Sequence, residues 1–374
     1  MKGSLKFIVK QRLKMLLQNV LLPCAYGLWS FVYRKESPEL IIFADSHHAK
    51  LPYSMERIHN ELLSRGYDIV DEIYDFSSMS TLKSLMLSLR FMRLYARAKY
   101  VFICDNFLPV SSCKKREETI VVQLMHSCGL LKKMGYDTTD DIPKGYKGEV
   151  YRNYDLVTVS SPACIEPLQK AMHLATGVVK ALGTSRTDNY FDSEWIRNCK
   201  EKFYKEYPEL KTKKIILWAP TFRGNAAEPY LVGAEAIAQL EQALGEGVAF
   251  IKKIHPHADK KYKLSNCDIP TEELFPVVDL LISDYSSVVN EFMFFEKPYV
   301  LFAPDLEEYA KARGFYVPYD SLTPYVCTQT DKLLETIFDA LADEHPVWVK
   351  EKRTFHLQTC DGKATESILE YLNL

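Results

Sequence analysis

The sequence lacks the glycine-rich signatures of the common nucleotide-binding folds. Neither GxGxxG nor GxxxxGK[ST] occurs in its 374 residues, which disfavours a Rossmann-type dinucleotide site and a Walker-type ATP site. Its nine cysteines are odd in number and none has zinc-finger spacing, so we expect neither structural zinc nor a disulfide framework, and a reducing cytosol fits best. The formal net charge of -2 disfavours a nucleic-acid partner, because such proteins are usually basic.

Acidic residues are missing from the N-terminus. None occurs in residues 1–35, where Lys2, Lys6, Lys10 and Lys14 recur at helical spacing before an uncharged run. We predict that residues 1–35 form a membrane-associating helix, because a basic amphipathic helix suits an anionic membrane surface. A spanning helix and a buried core helix stay open as alternatives. The predicted location is peripheral, on the cytoplasmic face of the cell membrane.

The rest of the chain has a globular composition, with 47% hydrophobic and 26% charged residues, and a length that fits two domains. Short apolar runs alternate with helical stretches from residue 39 onward, pause near residues 183–192, and then resume. This alternation predicts an α/β fold with two Rossmann-like domains, 36–190 and 191–374, and parallel sheets. We expect the last helix to cross back to the first domain. In such sheets ligands bind beyond the carboxyl ends of the strands, so residues that directly follow strands are candidates.

His126 follows the predicted strand 119–124. A histidine titrates near neutrality and can take a proton from an attacking hydroxyl, so His126 is a candidate general base. The alternative is a loop histidine bonded to backbone.

A second candidate group follows the predicted strand 248–254. Lys253 and His255 place a cation and a donor where the charge of a phosphate develops. The spacing of His255 and His257 also resembles a metal pair, but no third ligand is apparent. We therefore predict phosphate contact and no metal.

The third group is the turn Asp284-Tyr285-Ser286-Ser287, which joins a buried strand to a helix. Ser286 or Ser287 would cap that helix, and its free N–H groups would attract an anion. A simple capped helix is the alternative.

Arg223, which follows the strand 214–219, could reach a pyrophosphate.

Two further segments are less specific. Arg186 and Asp188, at the domain junction, either support the site or pair with each other as a structural clamp. The turn Asp45-Ser46-His47-His48 follows the first strand; we interpret it as a surface loop that can contact substrate, in preference to a metal site.

In their order and separations, several segments together resemble the CDP-glycerol glycerophosphotransferase family, whose members build teichoic acids and capsule polymers. The segments are QLMHSCGLLKKMGYD, YDLVTVSS, GTSRTDNYFD, ILWAPTFRG, KKIHPH, LLISDYSSVVNEFMFFEKPYVLF, DLEEYAKARGFYVPYD and DGKATESILEYL. The likeness covers roughly residues 100–372. Family members often have Trp before and Gly after the matching histidine, where this chain has Met125 and Ser127. The resemblance therefore specifies the reaction class more closely than the acceptor or the number of units added.

The resemblance implies a glycosyltransferase B fold, with the two domains facing across a cleft, and transfer of glycerol phosphate or ribitol phosphate from a CDP-polyol to a lipid-linked acceptor, with release of CMP. The resemblance assigns no cofactor to the chain. It leaves open whether a divalent metal is required and what the oligomeric state is. The resemblance assigns catalysis to His126 and His255. It assigns donor phosphate binding to Arg223, Lys253, Ser286 and Ser287, the nucleotide pocket to Thr221, Asp284 and Glu291, and a supporting role to Arg186, Asp188, Lys132 and Arg313.

Two other functions stay open at the level of sequence. The same fold serves UDP-sugar glycosyltransferases and epimerases, and a degenerate member could act as a non-catalytic membrane scaffold.

Overall fold

The computed structural model describes residues 12–225 and 228–374. The lysine stripe predicted at Lys2, Lys6 and Lys10 lies outside these residues. The chain divides into two compact units. The first comprises the described residues up to His126 together with Met134–Asp188 and Thr359–Leu374, and the second comprises Ser127–Lys133 and Asn189–Gln358.

The first unit contains a parallel sheet with the order β2-β1-β3-β4-β5-β6. Its strands are β1 Leu40–Asp45, β2 Ile69–Ile73, β3 Ala98–Ile103, β4 Ile120–Gln123, β5 Leu156–Thr158 and β6 Val179–Lys180. The central strands are continuous apolar runs because helices cover both faces of a parallel sheet. Phe43 and Phe102 are fully buried on neighbouring strands and stack at 4.8 Å between ring centroids, which stabilises the pairing of β1 with β3 by about 1 kcal/mol beyond burial itself.

The second unit contains a parallel sheet with the order β10-β7-β11-β12-β13 and a separate antiparallel hairpin. The sheet strands are β7 Lys214–Trp218, β10 Val248–Lys252, β11 Leu280–Ser283, β12 Tyr299–Phe302 and β13 Val326–Cys327, and the hairpin pairs β8 Arg223–Asn225 with β9 Glu228–Tyr230. Its core joins Ile216, Trp218, Ile282 and Val300 to helix residues such as Ile337. The α/β class and the parallel sheets are therefore as predicted.

Helices connect the strands as parallel pairing requires. In the first unit they are Leu22–Val32, which continues a π-helical turn at Leu17–Leu21, and Tyr53–Ser64, Thr81–Tyr95, Leu108–Ser111, Ile165–Ala171 and Ala364–Leu372. In the second unit they are Ser193–Glu206, Ala234–Ala243, Pro256–Tyr262, Thr271–Leu274, Val288–Phe292, Leu306–Ala312, Leu333–Ala342 and Val347–Leu357.

Two segments belong to a different unit from the residues next to them in the chain, and the sequence analysis expected such a crossing only of the last helix. Residues 127–133, which the sequence analysis placed in the first domain, belong to the second unit because their backbone bonds to residues 314 and 316 there. Residues 359–374 belong to the first unit, where Tyr100 donates its hydroxyl to the Leu372 carbonyl at 2.8 Å.

The helical run Arg12–Val32 packs on the first unit by one side. Gln18, Leu22 and Tyr26, each four residues apart, are almost completely buried, and the Tyr26 hydroxyl accepts the backbone N–H of Arg116 at 2.9 Å. Leu28 and Phe31 on the same run are 61% and 62% exposed. By length and composition this run could cross a membrane, but its buried side already belongs to the unit on which it packs.

Candidate functional site

The carboxyl ends of the strands in the first unit meet at one edge of the sheet, because all its strands are parallel. Asp45 ends β1, Asp105 lies two residues after β3, and His126 lies three residues after β4. Strand order places β1, β3 and β4 side by side. The first unit therefore gathers two carboxylates and the predicted base at neighbouring strand ends.

A strained turn directs His126 away from β4. Met125 has a left-handed backbone with φ of 56°, a conformation that costs a non-glycine residue about 1 kcal/mol or more. The side chain of Gln123 holds this turn, because its Oε1 accepts the Met125 N–H at 3.0 Å and its Nε2 donates to the Asp105 carbonyl at 3.3 Å. One buried amide thus fixes the ends of both β3 and β4.

The His126 ring is half exposed, and one nitrogen faces two acceptors. Nδ1 lies 3.3 Å from the Cys104 carbonyl and 3.5 Å from Oδ2 of Asp105. The side chain is 52% exposed, so a substrate hydroxyl has access to the ring. The predicted alternative, a loop histidine bonded to backbone, describes only the Nδ1 side of this geometry.

Arg186 fixes the backbone of His126. Its guanidinium donates to the His126 carbonyl and to the Ser54 hydroxyl, both at 2.9 Å, and lies 4.8 Å from the centre of the Tyr53 ring. Asp188 does not contribute to this contact, since its carboxylate accepts the N–H groups of Ala364 and Thr365 at 3.0 and 2.8 Å. It therefore anchors the helix Ala364–Leu372 by its N-terminus.

The turn after β1 is organised around one buried carboxylate. Asp45 is 1% exposed, and its Oδ2 accepts the backbone N–H groups of His47 and His48 at 2.7 Å and faces Nδ1 of His48 at 3.0 Å. Burial alone would raise the pKa of Asp45, but the hydrogen bonds with these histidines hold this pKa well below its ordinary value. The hydrogen bond with Asp45 in turn raises the pKa of both imidazoles, against the effect of burial. The turn is a histidine loop held by a carboxylate.

The segment 127–133, here called the strap, follows His126 directly and packs on the second unit. Asn290 donates to the Cys128 carbonyl at 2.7 Å, and the Leu130 N–H donates to Nδ1 of the buried His356 at 3.2 Å. Burial lowers the pKa of His356 to about 4, and the nearby charge of Lys352 lowers it further.

Lys132 and Arg313 both contribute backbone or side-chain contacts at the far end of the strap. Lys132 forms an antiparallel bridge with Phe315, and Arg313 donates from Nε to the Lys133 carbonyl at 3.0 Å. Both residues thus fasten the strap in this structure.

In the second unit the strand ends bring His255, Thr221 and the Ser286–Ser287 turn to one edge. They follow β10, β7 and β11, which are adjacent in the sheet. His255 is exposed, its carbonyl accepts the N–H groups of Ala258 and Asp259, and its ring centroid lies 4.8 Å from that of Phe222. Lys253 donates its ammonium to the Cys267 carbonyl at 2.8 Å.

Arg223 lies beneath this edge. It is 7% exposed and forms a bidentate contact with Asp305, at 2.7 and 3.0 Å, and an ion pair with Asp284 at 3.0 Å. Burial alone would lower the pKa of Arg223, but Asp305 and Asp284 raise this pKa above its ordinary value. The rings of Tyr285 and Tyr309 also contact the guanidinium. In this structure two carboxylates and two rings surround the charge of Arg223, and its contact with a pyrophosphate stays a prediction.

Asp284 transmits this anchoring to the loop after β7. Its Oδ1 accepts the backbone N–H of Thr221 at 2.8 Å and that of Tyr285 at 2.6 Å. The Thr221 hydroxyl is buried and has no hydrogen-bond partner among the described residues, which leaves a polar atom to satisfy at this edge. Thr221 is therefore positioned from its backbone while its side-chain donor and acceptor remain available.

Ser286 and Ser287 are both partly exposed at the turn after β11. Ser287 occupies the N-cap of the helix Val288–Phe292 without a side-chain cap, and Ser286 Oγ accepts the Val288 N–H at 3.4 Å. That helix has only five residues, so its dipole contributes less than the sequence suggested. The hydroxyls themselves are the groups that this turn presents.

Glu291, which the resemblance assigns to the nucleotide pocket, is buried in the second unit. It is 2% exposed, and its Oε2 accepts the Tyr190 hydroxyl at 2.5 Å. This contact ties the helix Val288–Phe292 to the chain at residue 190, so Glu291 shapes the region from within the core.

Among the residues that the structure describes, no group of three or more His, Cys, Asp or Glu could hold a metal ion.

The sequence analysis did not single out Asp105, Gln123, Asp305 or His356. Asp105 and Asp305 both follow strands closely, so a stricter search of strand ends would have found them. Gln123 and His356 act through partners whose pairing no sequence pattern indicates.

Comparison with known proteins identifies the class. A sequence model of the family CDP-glycerol:poly(glycerophosphate) glycerophosphotransferase matches residues 28–374. The teichoic acid ribitol-phosphate primase of Bacillus spizizenii is 30% identical over 297 residues, which are 74% of this chain and 75% of that protein. The teichoic acid poly(ribitol-phosphate) polymerase of the same organism is 30% identical over 89% of this chain, but over only 56% of that longer protein.

Solved structures show the same fold. The wall teichoic acid polymerase TagF aligns with a TM-score of 0.75 at 18% identity, covering 98% of this chain and 97% of that chain. A UDP-GlcNAc 2-epimerase from Neisseria meningitidis, solved with UDP-GlcNAc bound, aligns at 0.56 and 14% identity over 89% of this chain and 99% of that one. The chain belongs to the CDP-glycerol:poly(glycerophosphate) glycerophosphotransferase family, and it is accordingly an enzyme of polyol-phosphate transfer, as predicted.

Proposed function

We propose that this enzyme transfers glycerol phosphate or ribitol phosphate from the corresponding CDP-polyol to a lipid-linked teichoic acid or capsule-type acceptor and releases CMP. The observation that carries the proposal is the half-exposed ring of His126, held at a strand end by its Nδ1 side. The family match over residues 28–374 supports the donor class.

The proposal assigns the acceptor to the first unit and the donor to the second. His126 takes the proton of the acceptor hydroxyl as its oxygen bonds to the phosphorus that carries the polyol. The bond from that phosphorus to the bridging oxygen breaks, and CMP leaves with the electron pair. Transfer of this kind depends on positioning and charge stabilisation, for which His255, Lys253 and the hydroxyls of Ser286 and Ser287 are the proposed donors.

The proposed roles of the buried residues are indirect. Arg223 and Asp284 hold the backbone of the loop that presents Thr221, and the Thr221 hydroxyl contacts the nucleotide or its phosphates. Glu291 shapes the same pocket through Tyr190. Arg186 keeps the His126 backbone in place, while Asp188, Lys132 and Arg313 secure neighbouring segments.

We also propose that the helical run Arg12–Val32 lies on an anionic membrane surface at the cytoplasmic face without crossing it. Its Gln18, Leu22 and Tyr26 side is buried on the first unit, whereas Leu28 and Phe31 are exposed. An interfacial helix needs only one free apolar side. This position would keep the enzyme beside a lipid-linked acceptor.

The assigned roles of the two histidines are tested by CMP release from the full chain with CDP-polyol and acceptor. We expect His126→Ala to lose at least about 100-fold in turnover, the usual scale for a general base, and His255→Ala about 100- to 1,000-fold, the scale for a charge-stabilising donor. His345→Ala, at an exposed histidine, is the matched control and should retain full rate. A loss below about threefold in correctly folded His126→Ala would remove the base assignment.

A UDP-sugar donor is the competing function, and only the likeness of fold to the epimerase favours it. Competition binding separates the two. A CDP-polyol should displace a bound cytidine nucleotide, and UDP-GlcNAc at the same concentration should not.

A further inference from the structure

We infer that Asp105 is a positioning residue for His126: together with the Cys104 carbonyl it keeps the ring proton on Nδ1, so that Nε2 is the atom that receives the proton of the acceptor hydroxyl. This inference rests on the proposed function and adds a residue and an atom to it.

Two groups face Nδ1 of His126, the Cys104 carbonyl and the Asp105 carboxylate. A carbonyl oxygen and a carboxylate oxygen can only accept hydrogen bonds, and they lie 3.3 and 3.5 Å from this nitrogen. A ring nitrogen between two acceptors is stable only if it carries the hydrogen. The neutral ring then has its lone pair on Nε2, on the half-exposed side.

Hydrogen bonds on both sides of Asp105 fix the orientation of its carboxylate. Its Oδ1 accepts the backbone N–H of Asn106 at 2.9 Å, which leaves Oδ2 toward His126. Its carbonyl accepts the amide of Gln123, and the same amide holds Met125. The strained turn and the carboxylate are therefore set by one side chain, which keeps the ring and Oδ2 in a fixed relation.

The carboxylate of Asp105 also attracts the positive charge that His126 gains during the reaction. When His126 takes the proton from the acceptor, the ring becomes an imidazolium with Nδ1–H directed at a carboxylate. Asp105 is 32% exposed and His126 52% exposed, so solvent screens part of this attraction. The separation of 3.5 Å is long for a hydrogen bond, as is common before substrate binds. The main effect is orientation, with charge stabilisation added in the transition state.

Other charged groups share this edge and belong to the same environment. Asp105 and Asp75 both act on the turn that holds Asp45, His47 and His48. Arg186 reaches the His126 carbonyl, not its ring. Among the contacts described, Asp105 is the carboxylate that faces the ring of the base.

The test compares Asp105→Asn and Asp105→Ala in the full chain. Asn can turn its NH2 toward Nδ1 and so favour the wrong tautomer, whereas Ala leaves the Cys104 carbonyl as an acceptor. We expect Asp105→Asn to lower kcat about 10- to 100-fold, at least as much as Asp105→Ala, with KM for the CDP-polyol changed less than about twofold. A purely structural role predicts the reverse order, because Asn is the better replacement for Asp.

Asp68→Asn is the matched control. Asp68 is exposed and precedes β2, at the opposite edge of the parallel sheet, and it should leave kcat unchanged. Asp105→Asn within threefold of wild type, or clearly milder than Asp105→Ala, would overturn the inference.

A second measurement does not depend on turnover. Nitrogen-15 NMR of histidine-labelled full chain, with the His126 signals assigned by their loss in His126→Asn, reports the tautomer directly. We expect hydrogen on Nδ1 of the neutral ring in wild type and a shift toward Nε2–H in Asp105→Asn. Hydrogen on Nε2 in wild type would overturn the inference even if CMP release is observed. If neither CDP-polyol is a substrate, the proposed function fails while the tautomer result still decides the role of Asp105.

Discussion

His356 is an imidazole that the fold keeps neutral. It is buried, and its Nδ1 accepts the Leu130 N–H. Protonation would place a second hydrogen opposite that donor, so the contact requires the neutral ring. Burial, followed by the charge of Lys352, lowers the pKa of His356 to about 4.

We expect this histidine to make the protein less stable as the pH falls from about 6.5 to 4. The unfolded chain binds the proton near pH 6.5, whereas the folded chain binds it only near pH 4. The unfolded state therefore holds more protons in this window, and linkage gives a loss of about 3 kcal/mol across it. Urea denaturation of wild type and His356→Gln at a series of pH values measures the effect.

The stability advantage of wild type over His356→Gln should shrink steadily on acidification. His345→Gln, at an exposed position, should show no such trend. Parallel pH profiles for wild type and His356→Gln would contradict the low pKa.

Single residues also show where prediction from sequence fails. The position of Arg223 after β7 was predicted correctly, but its partners Asp284 and Asp305 lie 61 and 82 residues later in the chain. Sequence spacing cannot show that two carboxylates enclose one guanidinium. The same holds for Asp105 and His126, which meet because β3 and β4 are paired.

At the scale of elements, the strap depends on a glycine. Gly129 has φ of 68°, and a Cβ there would lie 2.7 Å from the amide nitrogen of Asn290 and 3.1 Å from Cβ of His356. Backbone conformation and close packing both exclude a side chain. The strap begins directly after His126, so its displacement would disturb the chain beside the base.

We expect Gly129→Ala to destabilise the protein and lower the rate of CMP release. Gly145→Ala is the matched control, because Gly145 has φ of 81° but open space around its Cα. The left-handed backbone should cost both variants about 1 to 2 kcal/mol, and the clash should cost Gly129→Ala a further 1 to 3 kcal/mol, roughly the scale of overpacking. Denaturant midpoints measure the difference, and equal losses in the two variants would show that the close approach contributes nothing.

Most strands and longer helices follow the sequence pattern. The predicted strands 214–219 and 280–283 appear as Lys214–Trp218 and Leu280–Ser283, because a strand buried on both faces is a short continuous apolar run. Strands β6 and β13 have two residues each, too few to show any period. The strap joined the second unit through backbone hydrogen bonds, which leave no mark in composition.

At the scale of the whole molecule, the proposed membrane attachment rests on the exposed side of the N-terminal helix. We expect Leu28→Glu combined with Phe31→Glu to weaken binding to anionic vesicles about tenfold or more, because each large apolar side chain contributes over about 1 kcal/mol when it leaves water. Phe338→Glu is the matched control: Phe338 is 51% exposed on the second unit, and its replacement should not affect binding. Vesicle sedimentation measures both.

Salt distinguishes the interfacial position from a spanning one. Binding through basic residues weakens as ionic strength rises, so high salt should release the wild-type full chain from anionic vesicles. Retention on membranes in high salt and alkaline carbonate would contradict the interfacial position.

The central claim concerns the reaction, and CMP release tests it most directly. The purified full chain is offered CDP-glycerol and CDP-ribitol separately, each with and without a lipid-linked glycerol-phosphate acceptor, with His126→Ala as the inactive reference. We predict CMP from one donor that depends on the acceptor, which would also name the polyol. No CMP from either donor, in folded protein with a competent acceptor, would contradict the assignment of polyol-phosphate transfer to this site.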